Sequence, residues 1–73
     1  MQVCPRTTDG RLTITTNMAD YSVTMVNAAG QTIKIWTNLS LDQTIDVEDV
    51  LSGLYFVRVS SGSDVETIKV IKI

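Results

Sequence analysis

The sequence alternates apolar and polar residues with a period of two, in short runs that are separated by turn residues. In one such run, Tyr21, Val23 and Met25 are large and apolar, whereas Ser22 and Thr24 between them are small and polar. Alternate side chains of an extended strand point to opposite faces, whereas an amphipathic helix needs an apolar residue every three or four positions. The chain is therefore predicted to consist of β-strands that each bury one face.

The same alternation recurs in six runs, and a seventh strand is allowed for in the N-terminal arm. The six runs read RLTIT, YSVTMV, QTIKIWT, QTIDV, LYFVRVS and VETIKVIKI. Their close spacing predicts antiparallel hairpins that join 21–26 to 31–36 and 54–60 to 65–71. Short strands, short turns and the lack of a long helical period are typical of an all-β fold. We predict an immunoglobulin-like (Ig-like) antiparallel β-sandwich of about six to seven short strands.

One segment, DVEDVLSG at 46–53, departs from the strand pattern. Asp46 suits the N-cap of a helical turn, and Gly53 suits the position just after its end. Eight residues bury little surface on their own. We therefore predict at most one short helical turn near 47–52, which carries the chain between two sheets and ends before Tyr55.

Glycines mark several of the predicted turns. A positive φ angle costs steric energy for any residue that carries a Cβ atom, so turns that need this angle favour glycine. Positive φ angles are expected at Gly10, Gly30, Gly53 and Gly62. Of these, Gly30 and Gly62 are predicted to be the structural turn residues of the two hairpins.

Length and charge limit the functions that the chain can have. Its 73 residues are predicted to form a single domain over residues 1–73, in which residues 1–8 are a linker or an N-terminal arm. Such a small domain has room for a core and a recognition surface but little room for a deep cleft. The net charge is −2, from six Lys and Arg and eight Asp and Glu. This balance argues against a nucleic-acid partner and against docking on anionic lipid.

The residue types that most enzymes use are scarce. The sequence has no histidine and a single cysteine, Cys4, so Ser–His–Asp and Cys–His arrangements are ruled out. The acidic cluster 42–49 does not match the spacing of an EF-hand loop and is more typical of a solvated surface. We predict no catalytic residue, no metal-binding residue and no cofactor, and hence no enzyme. The first ten residues lack the apolar segment of a secretory signal, so the chain is expected to be either cytosolic or a fragment of something longer.

The segment IDVEDVLSGLYFVRVSSGSDVETIKVIKI carries a pattern that spans the last two strands. It contains a short turn with leucine, a Gly-x-Tyr element, an apolar strand, a glycine turn and a final strand with lysines. Upstream, VNAAGQTI places a glycine turn between two central strands, and DGRLTIT matches a first core strand. The whole chain resembles the C-terminal sorting domain of the type IX (Por) secretion system of Bacteroidetes, type A. The matching residues are Gly30, Ile45, Asp46, Leu51, Gly53, Leu54, Tyr55, Val57, Val59, Gly62, Thr67, Lys69, Val70 and Lys72.

The resemblance implies a sorting and translocation signal at the end of a larger cargo protein. Such domains fold as Ig-like sandwiches in the periplasm and direct the cargo through the type IX translocon in the outer membrane. An outer-membrane shuttle protein then receives the cargo, and a sortase-like cysteine peptidase cuts upstream of the domain. The domain itself is an address and not a catalyst. The residues that the resemblance implies for sorting recognition are Gly53, Tyr55, Lys69, Val70, Lys72 and Ile73.

Each of these residues also has a purely structural interpretation. Lys69 and Lys72 are three residues apart, so a regular strand turns them to opposite faces. They either contact the secretion machinery or protect a sheet edge from aggregation. Gly53 is expected to allow a particular backbone geometry. Tyr55 is expected to pack against other residues or to tie a corner of the fold through its hydroxyl. The alternative function is an Ig-like or fibronectin-type interaction module or an adhesin module. Long apolar edges also favour homodimerisation or strand exchange of the isolated domain.

Overall fold

Every regular element is a β-strand in the computed structural model, which describes residues 2–4 and 6–73. Met1 and Pro5, which belong to the predicted N-terminal arm, lie outside the described residues. No helix in the described part is long and apolar enough to cross a membrane. The eight strands are β1 (Gln2–Cys4), β2 (Thr7–Thr8), β3 (Arg11–Thr15), β4 (Tyr21–Asn27), β5 (Thr32–Leu39), β6 (Gln43–Asp46), β7 (Gly53–Ser61) and β8 (Asp64–Lys72).

The strands form two sheets, and the predicted all-β, Ig-like sandwich is confirmed. The smaller sheet has the order β1-β3-β6, and the larger has the order β2-β8-β7-β4-β5. Both predicted hairpins, β4–β5 and β7–β8, are present and antiparallel. The six runs of the sequence correspond to β3–β8, and the arm supplies two strands where one was allowed for. With two residues, β2 is too short to show an alternating pattern.

The core lies between the two sheets and is built from alternate residues of each strand. In the larger sheet, Val23 and Met25 of β4 and Val57 of β7 are fully buried, as their alternation predicts. The smaller sheet contributes Leu12 and Ile14 of β3, which are also fully buried. Burying an aliphatic side chain of this kind stabilises a fold by about 1.5–3 kcal/mol, so these positions are the main source of stability.

The edge strand β5 covers the core less completely. Register with β4 places Trp36 opposite Val23 and therefore on the inner face, where it packs half-buried against the core. The same register turns Ile35 outward, opposite Thr24, and leaves it 61% exposed. β5 thus combines a polar and aromatic inner face with an aliphatic outer one.

The segment 47–52 forms a single hydrogen-bonded turn and no helix, which confirms the prediction of at most one short turn. The amide of Val50 donates to the carbonyl oxygen of Val47 over 3.1 Å. At its start, Asp46 Oδ1 accepts a 2.9 Å hydrogen bond from the amide of Glu48. Both valines are buried, and the turn carries the chain from the smaller to the larger sheet. We call it the crossing turn.

The hairpin turns contain the glycines that the sequence predicts. Gly30 lies in the β4–β5 turn with a φ of 86°, and Gly62 lies in the β7–β8 turn with a φ of 60°. Gly53 also has a positive φ, of 156°. The prediction for Gly10 was wrong, because its φ is not positive. Gly10 is instead closely packed, since a Cβ atom there would lie 3.5 Å from Glu48 Cγ.

Candidate recognition site

The residues implied in sorting recognition all lie on the hairpin of β7 and β8 or directly after it. The antiparallel register places Gly53 opposite Lys72, and Tyr55 opposite Val70. The hairpin therefore brings the residues together at one end, where β7 begins and β8 finishes. We call this end of the hairpin the terminal site.

Solvent exposure divides the terminal site into two groups of residues. Gly53, Lys69 and Ile73 are exposed, and Ile73 is 64% accessible to solvent. Tyr55, Val70 and Lys72 are buried, and Val70 is wholly inaccessible. A partner that docks on the folded domain can touch the first group only. The side chains of the second group are packed inside the domain.

Tyr55 ties the crossing turn to the terminal site. Its ring is part of the core, and its hydroxyl donates a 2.7 Å hydrogen bond to the carbonyl oxygen of Leu51. This bond joins two positions four residues apart, on either side of Gly53, where the chain enters β7. The corner tie that the sequence suggested for Tyr55 is therefore present in the structure.

Tyr21 makes an equivalent tie at another passage between the sheets, from β5 to β6, and sequence reasoning missed this tie. Its hydroxyl donates a 2.6 Å hydrogen bond to the carbonyl oxygen of Leu41, in the loop from β5 to β6. Burial raises the pKa of the Tyr21 hydroxyl above its ordinary value, and the charge of Asp42 raises it further. Leu41 has a φ of 58°, and its amide donates to the carbonyl oxygen of Met18 over 2.8 Å. Two hydrogen bonds thus hold Leu41 at a positive φ. This backbone conformation is energetically unfavourable for a residue that carries a side chain.

The two lysines of β8 point to opposite faces, as their spacing predicts. Lys69 is exposed, whereas Lys72 is only 7% exposed and donates from Nζ to the carbonyl oxygen of Ile73 over 3.3 Å. Protection of a free edge does not explain Lys72, because β2 covers that part of β8. Within the described residues, β8 has no strand on its outer side over 64–70, and Lys69 lies on this open stretch.

The N-terminal arm covers the end of β8, which the sequence did not predict. Strand β2 runs parallel to β8, with the amide of Ile71 donating to the carbonyl oxygen of Arg6 over 2.8 Å. The amide of Ile73 donates to the carbonyl oxygen of Thr8 over 2.9 Å. β1 meanwhile pairs with β3 in the smaller sheet, so residues 2–4 and 6–8 connect both sheets.

Thr8 positions the arm through its side chain. Thr8 Oγ1 is buried, accepts hydrogen bonds from the amides of Gly10 (3.1 Å) and Arg11 (3.0 Å), and donates to the carbonyl oxygen of Arg11 over 2.7 Å. Threonine followed by Asp-Gly is a known turn-forming combination, so the segment TTDG carried the signal that could have predicted this feature.

An ion pair links the edge strand β5 to the crossing turn. Lys34 Nζ lies 2.8 Å from Asp49 Oδ1. The hydrogen bond from Lys34 holds the pKa of the Asp49 carboxyl below its ordinary value, with a minor contribution from the charge of Lys72. The acidic cluster of the sequence is therefore partly engaged in holding the turn that precedes Gly53.

The fold and the terminal site define a small Ig-like sandwich domain whose candidate functional feature is the end of a hairpin. The family model for the secretion system C-terminal sorting domain matches residues 2–73. The chain belongs to this family, the C-terminal sorting domains of the type IX secretion system. No curated protein and no solved structure matches the chain.

Membership of this family indicates a C-terminal sorting signal of the type IX secretion system. It also implies a secreted precursor that passes to the outer membrane or cell surface and interacts with this secretion system. The predicted family is thereby confirmed, whereas the roles of the individual residues in the terminal site stay predictions.

Proposed function

We propose that residues 1–73 form one sorting unit that directs a larger cargo protein from the periplasm across the outer membrane. The type IX translocon and an outer-membrane shuttle protein bind the unit, and a sortase-like cysteine peptidase then removes it. The unit itself is non-catalytic. The observation that carries this proposal is the family match over residues 2–73.

The terminal site supports recognition of a folded hairpin. Gly53, Lys69 and Ile73 present exposed backbone, charge and apolar surface at the same end of the β7–β8 hairpin. The buried side chains of Tyr55 and Val70 keep this end rigid, which lowers the entropy that binding costs. The secretion machinery accordingly contacts the exposed residues of the terminal site. The buried residues hold the hairpin in the conformation that presents them.

We place the peptidase cut upstream of β1. β1 is hydrogen-bonded to β3, and the segment 6–8 is hydrogen-bonded to the end of β8. A peptidase needs an extended backbone that is free to enter its cleft, and backbone already paired in a sheet does not meet this need. A cut before Gln2 leaves both sheets of the sorting unit intact.

A fusion of residues 1–73 behind a periplasmic reporter tests the proposal in a bacterium that has a type IX system. We expect the reporter at the cell surface or in the medium, without the fused domain. Val57→Asp, which places a charge in the core outside the terminal site, is expected to abolish export, and it serves as the unfolded control. If the wild-type fusion stays in the periplasm, the proposal is wrong.

A second fusion separates this function from a general Ig-like interaction or adhesin module. A polar tail appended after Ile73 extends the strand that carries the terminal site. A module that binds through its loops tolerates this tail, whereas a sorting signal read at the terminal site loses export. Circular dichroism of the purified domain with and without the tail checks that both are folded.

A further inference from the structure

The outer face of the larger sheet, turned away from the smaller sheet, combines exposed apolar and basic side chains. Register places Ile71 beside Leu54, and Lys69 beside Phe56, which in turn lies beside Val26. The next row holds Thr67, Arg58, Thr24 and Ile35. We call these three rows the outer face. Leu54, Ile71 and Ile35 are 39%, 42% and 61% exposed, so an apolar band crosses the sheet.

The charge on the outer face is opposite to that of the chain as a whole. Arg58 and Lys69 are exposed diagonal neighbours on adjacent strands, which places their Cβ atoms about 7 Å apart. Neither forms an ion pair within the described residues. The three rows contain no acidic residue, although the chain carries eight. The nearest acid along β4 is Asp20, which lies before the strand and beyond a further row that pairs Ser22 with Ser60.

We propose that the outer face binds a partner protein whose surface is apolar where it meets the apolar band and acidic where it meets Arg58 and Lys69. An acidic partner neutralises two neighbouring positive charges that have no counter-charge in the domain itself. This proposal rests on the proposed function, because it names the surface through which the secretion machinery holds the sorting unit in addition to the terminal site.

A second copy of the chain is a poorer occupant of the outer face. A two-fold dimer through this face places Arg58 and Lys69 of both copies in one interface without an acid. Like charges in such an interface oppose association. The occupant is therefore a different molecule.

An anionic membrane is also a poorer occupant. Each Lys or Arg near an anionic membrane contributes about 1 kcal/mol, so two of them supply about 2 kcal/mol. That is too little to anchor a domain whose net charge is −2 and whose remaining surface is repelled. A protein surface offers acids at fixed positions and apolar side chains that fit the rows of the sheet.

The size of the outer face predicts a transient contact. The outer face is part of one side of a molecule with extents of 30 × 20 × 16 Å, so its flat area is at most about 600 Å². A stable interface of standard size buries about 800 Å² on each partner. Binding through this face alone is consequently short-lived, which suits a signal that passes from one component of a secretion system to the next.

Charge reversal in the reporter fusion tests the inference. R58E/K69E and the matched control R6E/R11E both change the net charge from −2 to −6, but only the first pair lies on the outer face. Because Lys69 also belongs to the terminal site, the single variant R58E, with R11E as its control, tests the outer face separately. Both single variants change the net charge from −2 to −4, and export is expected to fall for R58E only. We expect R58E/K69E to lower export at least about tenfold. R58K/K69R and R6E/R11E are expected to export like the wild type. Thermal unfolding of each purified domain shows that the variants fold.

The apolar band provides a second, independent comparison. Ile35→Ser removes an exposed side chain on the outer face, whereas Leu51→Ser removes one that is 82% exposed in the crossing turn. We expect export to fall several-fold for Ile35→Ser only. Equal export of both variants contradicts the apolar part of the inference.

The remaining outcomes distinguish the inference from its alternatives. If the wild type is exported and R58E/K69E is exported equally well, the inference is wrong and the proposed function stands. If the wild type is not exported, both are wrong. If the wild-type domain sediments with phosphatidylglycerol vesicles and R58E/K69E does not, the outer face binds a membrane and not a protein. If light scattering shows a dimer for the wild type and a monomer for R58E/K69E, the outer face binds a second copy of the chain.

Discussion

The amide of Ile73 donates a 2.9 Å hydrogen bond to the carbonyl oxygen of Thr8, so the strand that carries the terminal site is held by the N-terminal arm. The paired residues of β2 and β8 are 64 positions apart in the sequence but adjacent in the sheet. Changes to the side chain of Thr8, which positions the arm, are therefore expected to alter the terminal site even though Thr8 lies far from it along the chain. Any cargo that precedes the arm is therefore joined to the domain beside the terminal site.

Thr8→Val is expected to destabilise the domain by about 1–3 kcal/mol. Valine has the shape of threonine but accepts no hydrogen bond, so the buried amide of Gly10 loses its partner. The neighbouring Thr7 is exposed, and Thr7→Val is expected to change the free energy of unfolding by less than about 0.5 kcal/mol. Urea denaturation of both variants measures the difference, and equal stability would contradict this role of Thr8.

Tyr55→Phe and Tyr21→Phe are each expected to lower the free energy of unfolding by about 1–2 kcal/mol. Each variant keeps the buried ring but removes the hydroxyl that donates to Leu51 or Leu41. We expect amide hydrogen exchange to accelerate in the crossing turn for Tyr55→Phe and in the β5–β6 loop for Tyr21→Phe. Uniform acceleration over the whole domain would show that the ties are not local.

The pKa of Tyr21 predicts a loss of stability at alkaline pH. Because the folded-state pKa lies above the ordinary value of 10.0, folding favours the protonated hydroxyl. The resulting stabilisation is complete below pH 10 and is lost as the pH rises through the folded-state pKa. Absorbance titration of Tyr55→Phe, in which Tyr21 is the remaining tyrosine, measures this pKa. We expect Asp42→Asn to lower the pKa of Tyr21. A Tyr21 pKa at or below 10 in Tyr55→Phe would contradict the prediction.

Lys34→Met is expected to raise the pKa of Asp49 towards its ordinary value. The Lys34 hydrogen bond favours the charged carboxylate, so the stabilisation is present above the ordinary pKa and is lost as the pH falls through the lowered one. NMR titration of the Asp49 carboxyl measures the change. Lys69→Met, on the outer face, is the control and should leave that pKa unaltered. The difference between the two variants should shrink at high salt, since Asp49 is exposed.

Leu41→Asn is expected to raise the free energy of unfolding by up to about 1 kcal/mol. Leu41 has a positive φ and a side chain that is 58% exposed, so its side chain contributes little and its backbone conformation is costly. Asparagine adopts this conformation more readily. Leu51→Asn, at an exposed position without a positive φ, is the control, and thermal unfolding compares the two. A gain in both variants would show that the effect is not conformational.

The sequence predicted those structural features that depend on a single strand or turn. The alternation of Tyr55, Val57 and Val59 with Leu54 and Phe56 correctly assigned the two faces of β7, because the pleat of a strand has a fixed period. The same alternation placed Arg58 on one side with Leu54 and Phe56, and the hairpin register brings it close to Lys69. The glycine turns at Gly30 and Gly62 were predicted for an equally local reason, the steric cost of a positive φ.

Other features depend on residues that are far apart in the chain. Two-residue β2 has no pattern of its own, and only its hydrogen bonds to β8 make it a strand. The hydroxyl of Tyr21 finds its acceptor at Leu41, twenty residues away, in a loop whose path the sequence does not specify. These contacts arise only after the sheets have packed, since packing fixes which loop passes over which ring.

An all-β chain, an Ig-like sandwich and membership of the sorting-domain family could all be predicted from the sequence alone. Alternation, turn residues and the order of motifs are local properties, so they can be recognised in the sequence without a structure. Which residues of the terminal site are exposed to a partner depends on how the strands pair and pack. Lys69 and Lys72 read alike in the sequence, but pairing with β7 and cover from β2 leave one exposed and bury the other.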